Sequence, residues 1–112
     1  MPKPANRPTS RYARDAVQLL GLLIRRARVE RQMTVEELAE RAGLSRGLVS
    51  RIERGDLGCS VGAVFEAAAV AGLRLFDEEQ RGITGKLVDA ISANTLLPQA
   101  VRSATGKVED DF

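Results

Sequence analysis

The stretch MTVEELAERAGLSRGLVSRIERG, residues 33–55, constrains the chain more than any other part of it: two helical patterns, each with its own start signal, are separated by one glycine turn. Thr34, followed three residues later by Glu37, forms a capping box. Its hydroxyl accepts from the Glu37 amide, and the Glu37 carboxylate reaches back to the Thr34 amide. The helix opened there carries Leu38, Ala39 and Ala42 on one face and stops at Gly43, where a left-handed turn costs glycine little. Ser45 caps the next helix almost at once, with Val49 and Ile52 as its inward positions and Gly55 as its stop. A small residue at Ala39, a glycine at Gly43 and a β-branched wedge at Val49 are what two steeply crossing helices require. The spacing predicts a helix-turn-helix.

The flanking sequence supplies helices for that pair to pack against. Over residues 15–32, Ala16, Leu20, Leu23, Ile24 and Ala27 recur at three- and four-residue steps and predict one buried stripe, with Arg25 and Arg28 facing away. Leu22 and Val29 lie off the stripe and offer a small secondary contact surface. After a loop at 56–59, residues 60–71 place Val64, Phe65, Ala68 and Ala69 at helical spacing, closed by Gly72. LRLF, residues 73–76, reads as a short extended link. Asp77 opens a fifth helix running to about residue 93, in which Gly82 and Gly85 each cost about 1 kcal/mol relative to alanine. The expected organisation is a flexible arm over 1–11, a helix-turn-helix domain over 12–93 and a disordered, acidic-ended tail over 94–112. No internal repeat is visible.

Composition agrees with an all-α fold. Alanine, leucine, arginine and glutamate dominate the middle of the chain, and with 3 Phe, 1 Tyr and no Trp the core must be aliphatic. At 112 residues there is room for one modest domain, burying about two-thirds of its unfolded surface. Cys59, the single cysteine, has no partner for an internal disulfide and is expected to be a small packing residue. The longest apolar stretch, residues 19–24, is too short to span a bilayer, and no charged-then-apolar leader opens the chain, so a cytoplasmic protein with no membrane partner is expected. There is no histidine, no second cysteine and no glycine-rich phosphate loop, and Glu36, Glu37 and Glu40 form an acidic run on a helix surface. Neither catalytic residues, cofactor nor metal are expected, and the chain is not read as an enzyme.

The net charge of +2 says less than its distribution. Ten arginines lie between Arg11 and Arg54, whereas three of the last four residues are acidic. A basic body suits a polyanionic partner such as nucleic acid, although charge alone fits an ordinary solvated helical surface equally well. With Val49 and Ile52 turned inward, Arg46, Gly47, Leu48, Ser50 and Arg51 point outward from a helix able to enter the major groove. Arg46, at its leading end, can donate two hydrogen bonds to guanine O6 and N7. Gly47 permits close backbone approach, Leu48 can meet a thymine methyl, and Ser50 is a short polar contact. Arg51 and Arg54 suit phosphates, as do the amides at the two helix starts near Val35 and Ser45. Glu53 fits an ion pair or a cap within the domain.

Residues 23–55, LIRRARVERQMTVEELAERAGLSRGLVSRIERG, resemble the five-helix domain of the Cro and lambda-repressor-like (XRE) family, and the similarity extends through Phe76. The Thr-led helix with ELAERAGLS, then a helix ending RIERG, carries it. Many members have Gln at the first position of the second helix, where it touches a phosphate and braces the recognition helix. Here that position is Val35, so only the backbone amide remains for phosphate and the side-chain brace is absent. YARDAVQLLGLLIRRAR, GAVFEAAAVAGLRLF and LLPQAVRSATGKVEDDF are similar to HipB-type antitoxins. That resemblance implies a homodimer on a palindromic operator in double-stranded DNA, repression of its own operon and a HipA-like kinase toxin as partner. Two other readings stand beside it: a protein-binding inhibitor whose DNA binding is secondary, and a stand-alone XRE regulator of metabolic or phage genes. The tail's acidic tip beside Phe112 suits a basic partner groove, a protease-accessible end or solubility alone.

Overall fold

The structure, a computed structural model, describes residues 8–77 and 79–101. Among these there are five α-helices and no strand: α1 Arg11–Glu30, α2 Val35–Ala42, α3 Arg46–Glu53, α4 Val61–Ala71 and α5 Gln80–Thr95, with a 3-10 turn at Leu75–Asp77. The fold is all-α, as the composition requires. The chain divides into two compact units, Met1–Asp77 and Glu78–Phe112.

In the first unit each helix begins and ends by the same local chemistry. Ser10, Thr34, Ser45 and Ser60 stand at the four N-caps in extended backbone, and each hydroxyl accepts from the amide three residues on, at 3.0–3.2 Å. At the four C-termini a left-handed residue follows: Gln32, Gly43, Gly55 and Gly72. The next amide then returns to a carbonyl five residues back, Met33 to Arg28, Leu44 to Ala39, Asp56 to Arg51 and Leu73 to Ala68, at 2.9–3.0 Å. Caps of this kind satisfy the end groups that a short helix otherwise leaves open.

α2 packs on α3 and α4, and α1 packs on the same two helices. Ile24, Leu38 and Val49 are the largest fully buried side chains, and Ala67, Ala68 and Ala71 bring α4 in close behind them. Met33, Ala39 and Ile52 complete the cluster, against which Cys59 packs as a half-buried neighbour. Two glycines let α1 lie directly on the end of α3. A Cβ at Gly21 would meet the Ile52 carbonyl oxygen at 2.4 Å, and one at Gly55 would meet Gln18 Cα at 2.9 Å.

Several expectations are corrected here. α1 starts at Arg11, four residues before Asp15, because Ser10 caps it; Ala16 is exposed, and the first buried residue along the helix is Gly21. Arg28 does not face away: its guanidinium is turned inward onto Glu53. In α4 the inward residues are Ala67, Ala68 and Ala71, whereas Phe65 and Ala69 are exposed. Residues 73–76 are no extended link. Leu75 packs against the core and Phe76, at φ 56°, sets its ring edge-on to Phe65 with centroids 6.4 Å apart.

Because that turn occupies Asp77, the fifth helix begins only at Gln80. It lies in the second unit, has no buried residue, and leaves Leu87, Val88 and Ile91 each more than half exposed. Asn94 and Thr95, expected in the tail, finish it by bonding back to the Ala90 and Ile91 carbonyls. Residues 1–7 of the expected arm and residues 102–112 of the expected tail, including the acidic end, lie outside the described residues.

Candidate nucleic-acid interface

The α2–α3 pair is built as the spacing requires. Thr34 and Glu37 form the complete capping box, with the Thr34 amide donating to Glu37 Oε1 at 2.8 Å and the Glu37 amide to Thr34 Oγ1 at 3.0 Å. The first of these bonds holds the Glu37 carboxyl below the usual carboxylate range. Gly43 turns the chain at φ 71°, Ala39 is buried where the helices meet, and Val49 is fully buried as the wedge.

Val35, Arg46, Gly47 and Ser50 are brought together, with Thr34 and Glu36, around an open cleft of about 470 Å3 between the start of α2 and the exposed side of α3. Arg46, the first residue of α3, is exposed, and nothing stands within 4 Å of where a Gly47 Cβ would be. By helix geometry the first-turn amides of both helices, those of Val35 and Arg46 among them, have no acceptor in a preceding turn.

The remaining candidates do not line that cleft. Ser45 is committed to its cap, accepting from the Leu48 amide at 3.1 Å. Leu48, expected to face outward, is half-buried against the core. Arg51 is exposed but engaged: its Nε donates to Asp56 Oδ2 at 3.0 Å, which raises the guanidinium above its ordinary value. Asp56 is held low chiefly by the Gly58 amide at 2.7 Å and then by Arg51. This pair ties α3 to the loop leading to α4. Arg54, the C-cap residue of α3, is exposed at the other end of that helix.

Behind α3 sits a feature that sequence reasoning half found. Glu53 was assigned an internal ion pair or cap; its partner is Arg28, donating from Nε to Oε2 at 2.7 Å and from Nη2 to Oε1 at 3.0 Å, while Nη1 donates to the Met33 carbonyl at 2.8 Å. Both side chains are about nine-tenths buried, and the fork-to-fork hydrogen bonds raise the guanidinium above its ordinary value. One arginine of α1 therefore fixes the end of α3 and the approach to α2 together. Two residues were missed. Gly21 sits inside an otherwise regular helical pattern, and that irregularity was its only signal. Glu36, read as part of a surface acidic run, donates nothing but accepts from Arg46 Nη1 at 3.0 Å.

A family model described as a helix-turn-helix domain matches residues 19–81, more than half of the chain, and spans α1 from residue 19 on, both helices of the motif and α4. The chain belongs to the helix-turn-helix domain family. Double-stranded DNA is the partner that such a domain binds, through its second helix. A comparison with curated proteins returns no match. Among the described residues of this helix-turn-helix protein, no helix is long and apolar enough to cross a membrane.

Proposed function

We propose that this helix-turn-helix protein is a sequence-specific transcriptional repressor that binds a palindromic operator as a homodimer, with α3 in the major groove. The observation carrying the reading is the open face of α3: Arg46 at its leading end, exposed beside a Gly47 that has no neighbour in front of it. Arg46 reads guanine, Gly47 admits the edge of the duplex, and Ser50 at the cleft wall supplies a short polar contact. Leu48, half-buried, offers only its outer edge to a thymine methyl. Arg54 and the first-turn amides near Val35 and Ser45 take phosphates; Arg51 does so while keeping Asp56. Symmetry-related α3 helices would read half-sites about 34 Å apart.

Gel shifts on the selected operator and on a scrambled duplex test this. Arg46→Ala should cost about 1–3 kcal/mol on the operator and relax one base position, whereas Arg54→Ala should weaken both duplexes alike. Equal losses on both duplexes for Arg46→Ala would remove the base-reading assignment.

The XRE-type and HipB-like resemblance adds an antitoxin role, in which the same chain represses its own operon and restrains a HipA-like kinase toxin. Support for a protein partner comes from an exposed face of α1, where Tyr12, Ala16 and Leu19 share one shallow groove with the charged Asp15, and Tyr12 and Leu19 stay 76% and 57% exposed. Leu19→Glu should abolish co-purification of a kinase encoded beside this gene and leave DNA binding intact. Loss of neither, or of both, would count against that role.

A further inference from the structure

We infer that Glu36 is a specificity-determining residue: it anchors Arg46 across the mouth of the α2–α3 cleft and cancels the part of that arginine's charge that attracts any DNA. This rests on the repressor reading above. The Glu36 and Arg46 side chains meet at 3.0 Å while remaining 69% and 68% exposed, so the pair adds little to folding and its consequence falls on the face it occupies. It spans the two helices of the motif, ten residues apart in sequence, and borders the same cleft as Val35, Gly47 and Ser50.

The chemistry separates two things that arginine ordinarily does at once. A guanidinium has five N–H donors in a fixed plane, and Glu36 takes one of them, from Nη1. Enough remain for a bidentate contact to guanine O6 and N7, and the anchored side chain has fewer rotamers to lose on making it. Its net charge, by contrast, is offset. Attraction of Arg46 to phosphates, which carries no sequence information, is screened by a carboxylate 3.0 Å away and by Glu37 in the same first turn of α2. Glu36 thus lowers affinity for all duplexes but lowers it least where a guanine meets the held fork.

The test uses the full chain, as wild type and as Glu36→Gln, on a randomised duplex pool about 30 bp long, enough for two half-sites one turn apart. Both proteins are then titrated against the duplex selected by wild type and against one scrambled duplex over a range of salt. Because Glu36 is exposed, the variant should keep its melting temperature. Glu36→Gln should bind the scrambled duplex about 3- to 10-fold tighter, with a salt slope steeper by about one. Its selected motif should also lose discrimination at the position that Arg46→Ala relaxes. An unchanged motif, or the same fold-change on selected and scrambled duplexes, overturns the inference. A wild-type protein that enriches no motif overturns the repressor reading itself, which is a different result.

Discussion

Replacing Gly21 by alanine sets two effects of opposite sign against each other, and the geometry decides between them. In the interior of a free helix the change is worth about 1 kcal/mol of stabilisation, because alanine loses less backbone entropy. In α1 the new Cβ would lie 2.4 Å from the Ile52 carbonyl oxygen and 3.0 Å from that of Glu53. Both are backbone atoms at the end of α3, so no rotamer change relieves them. The first contact is about 0.6 Å short of the 3.0 Å that real Cβ atoms respect, and α1 must therefore lift off α3. A gap of that size forfeits a quarter to a half of each dispersion contact along the seam, in a core whose largest fully buried side chains are Ile24, Leu38 and Val49. Overpacking of this kind costs about 1–3 kcal/mol or somewhat more, and α3 has no slack, since Glu53 beside the clash is held by Arg28. With the propensity gain of about 1 kcal/mol set against that cost, the net expectation is a loss of about 1–2 kcal/mol. For a unit of this size that lowers the melting temperature by about 5–15 °C. Gly47→Ala, with nothing within 4 Å of the new methyl, should instead leave stability unchanged or raise it by up to about 1 kcal/mol. Urea unfolding followed by far-ultraviolet circular dichroism measures both. A Gly21→Ala protein as stable as wild type would refute the close α1–α3 contact and, with it, the account of how α3 is held.

Two further expectations concern charge. Arg28→Ala leaves the Glu53 carboxylate buried without a partner and should cost about 3–5 kcal/mol, whereas Arg28→Met combined with Glu53→Leu should recover most of that loss; equal losses for the two proteins in urea titrations would contradict the pairing. Glu37 and Asp56 are both held below the ordinary carboxylate range, so the stability they contribute is complete above about pH 5 and is lost as pH falls through their depressed values. With no histidine in the chain, the melting temperature should be flat from about pH 6 to 8 and fall below about pH 4. A transition near pH 6.5 would show that another group governs stability.

Function in this arrangement depends on how firmly the exposed helix is held. α3 is two turns long, too short to persist by its own propensity, and it keeps its place through contacts on three sides. Val49 and Ile52 are buried beneath it, the Arg28 fork grips Glu53 near its C-terminus, and the Ser45 hydroxyl caps its start. Its outward side is left to Arg46, Gly47 and Ser50 around the cleft. A rigid back and an open front are what a reading helix needs if its side chains are to meet base edges in one register.

What was legible in the sequence was local. Thr34, Ser45, Gly43 and Gly55 mark their helix ends because caps and left-handed turns are made between residues three to five apart, and Leu38, Ala39, Val49 and Ile52 declare their inward faces through the 3.6-residue period. The all-α class and the helix-turn-helix followed from those rules alone, as did the exposure of Arg46. What only the tertiary structure decided involves residues distant in the chain. Arg28 lies 25 positions from Glu53, Arg46 ten from Glu36, and Gly21 some thirty from the carbonyls that exclude a side chain there. Periodicity puts Phe65 and Ala69 at helical spacing with Val64 and Ala68, but α4 meets α1 and α2 through the smaller surface of Ala67, Ala68 and Ala71. A repeat of 3.6 gives a helix an apolar side without saying which edge of that side its neighbours can approach, and that approach is set by the volumes and backbone atoms of helices the local pattern does not contain.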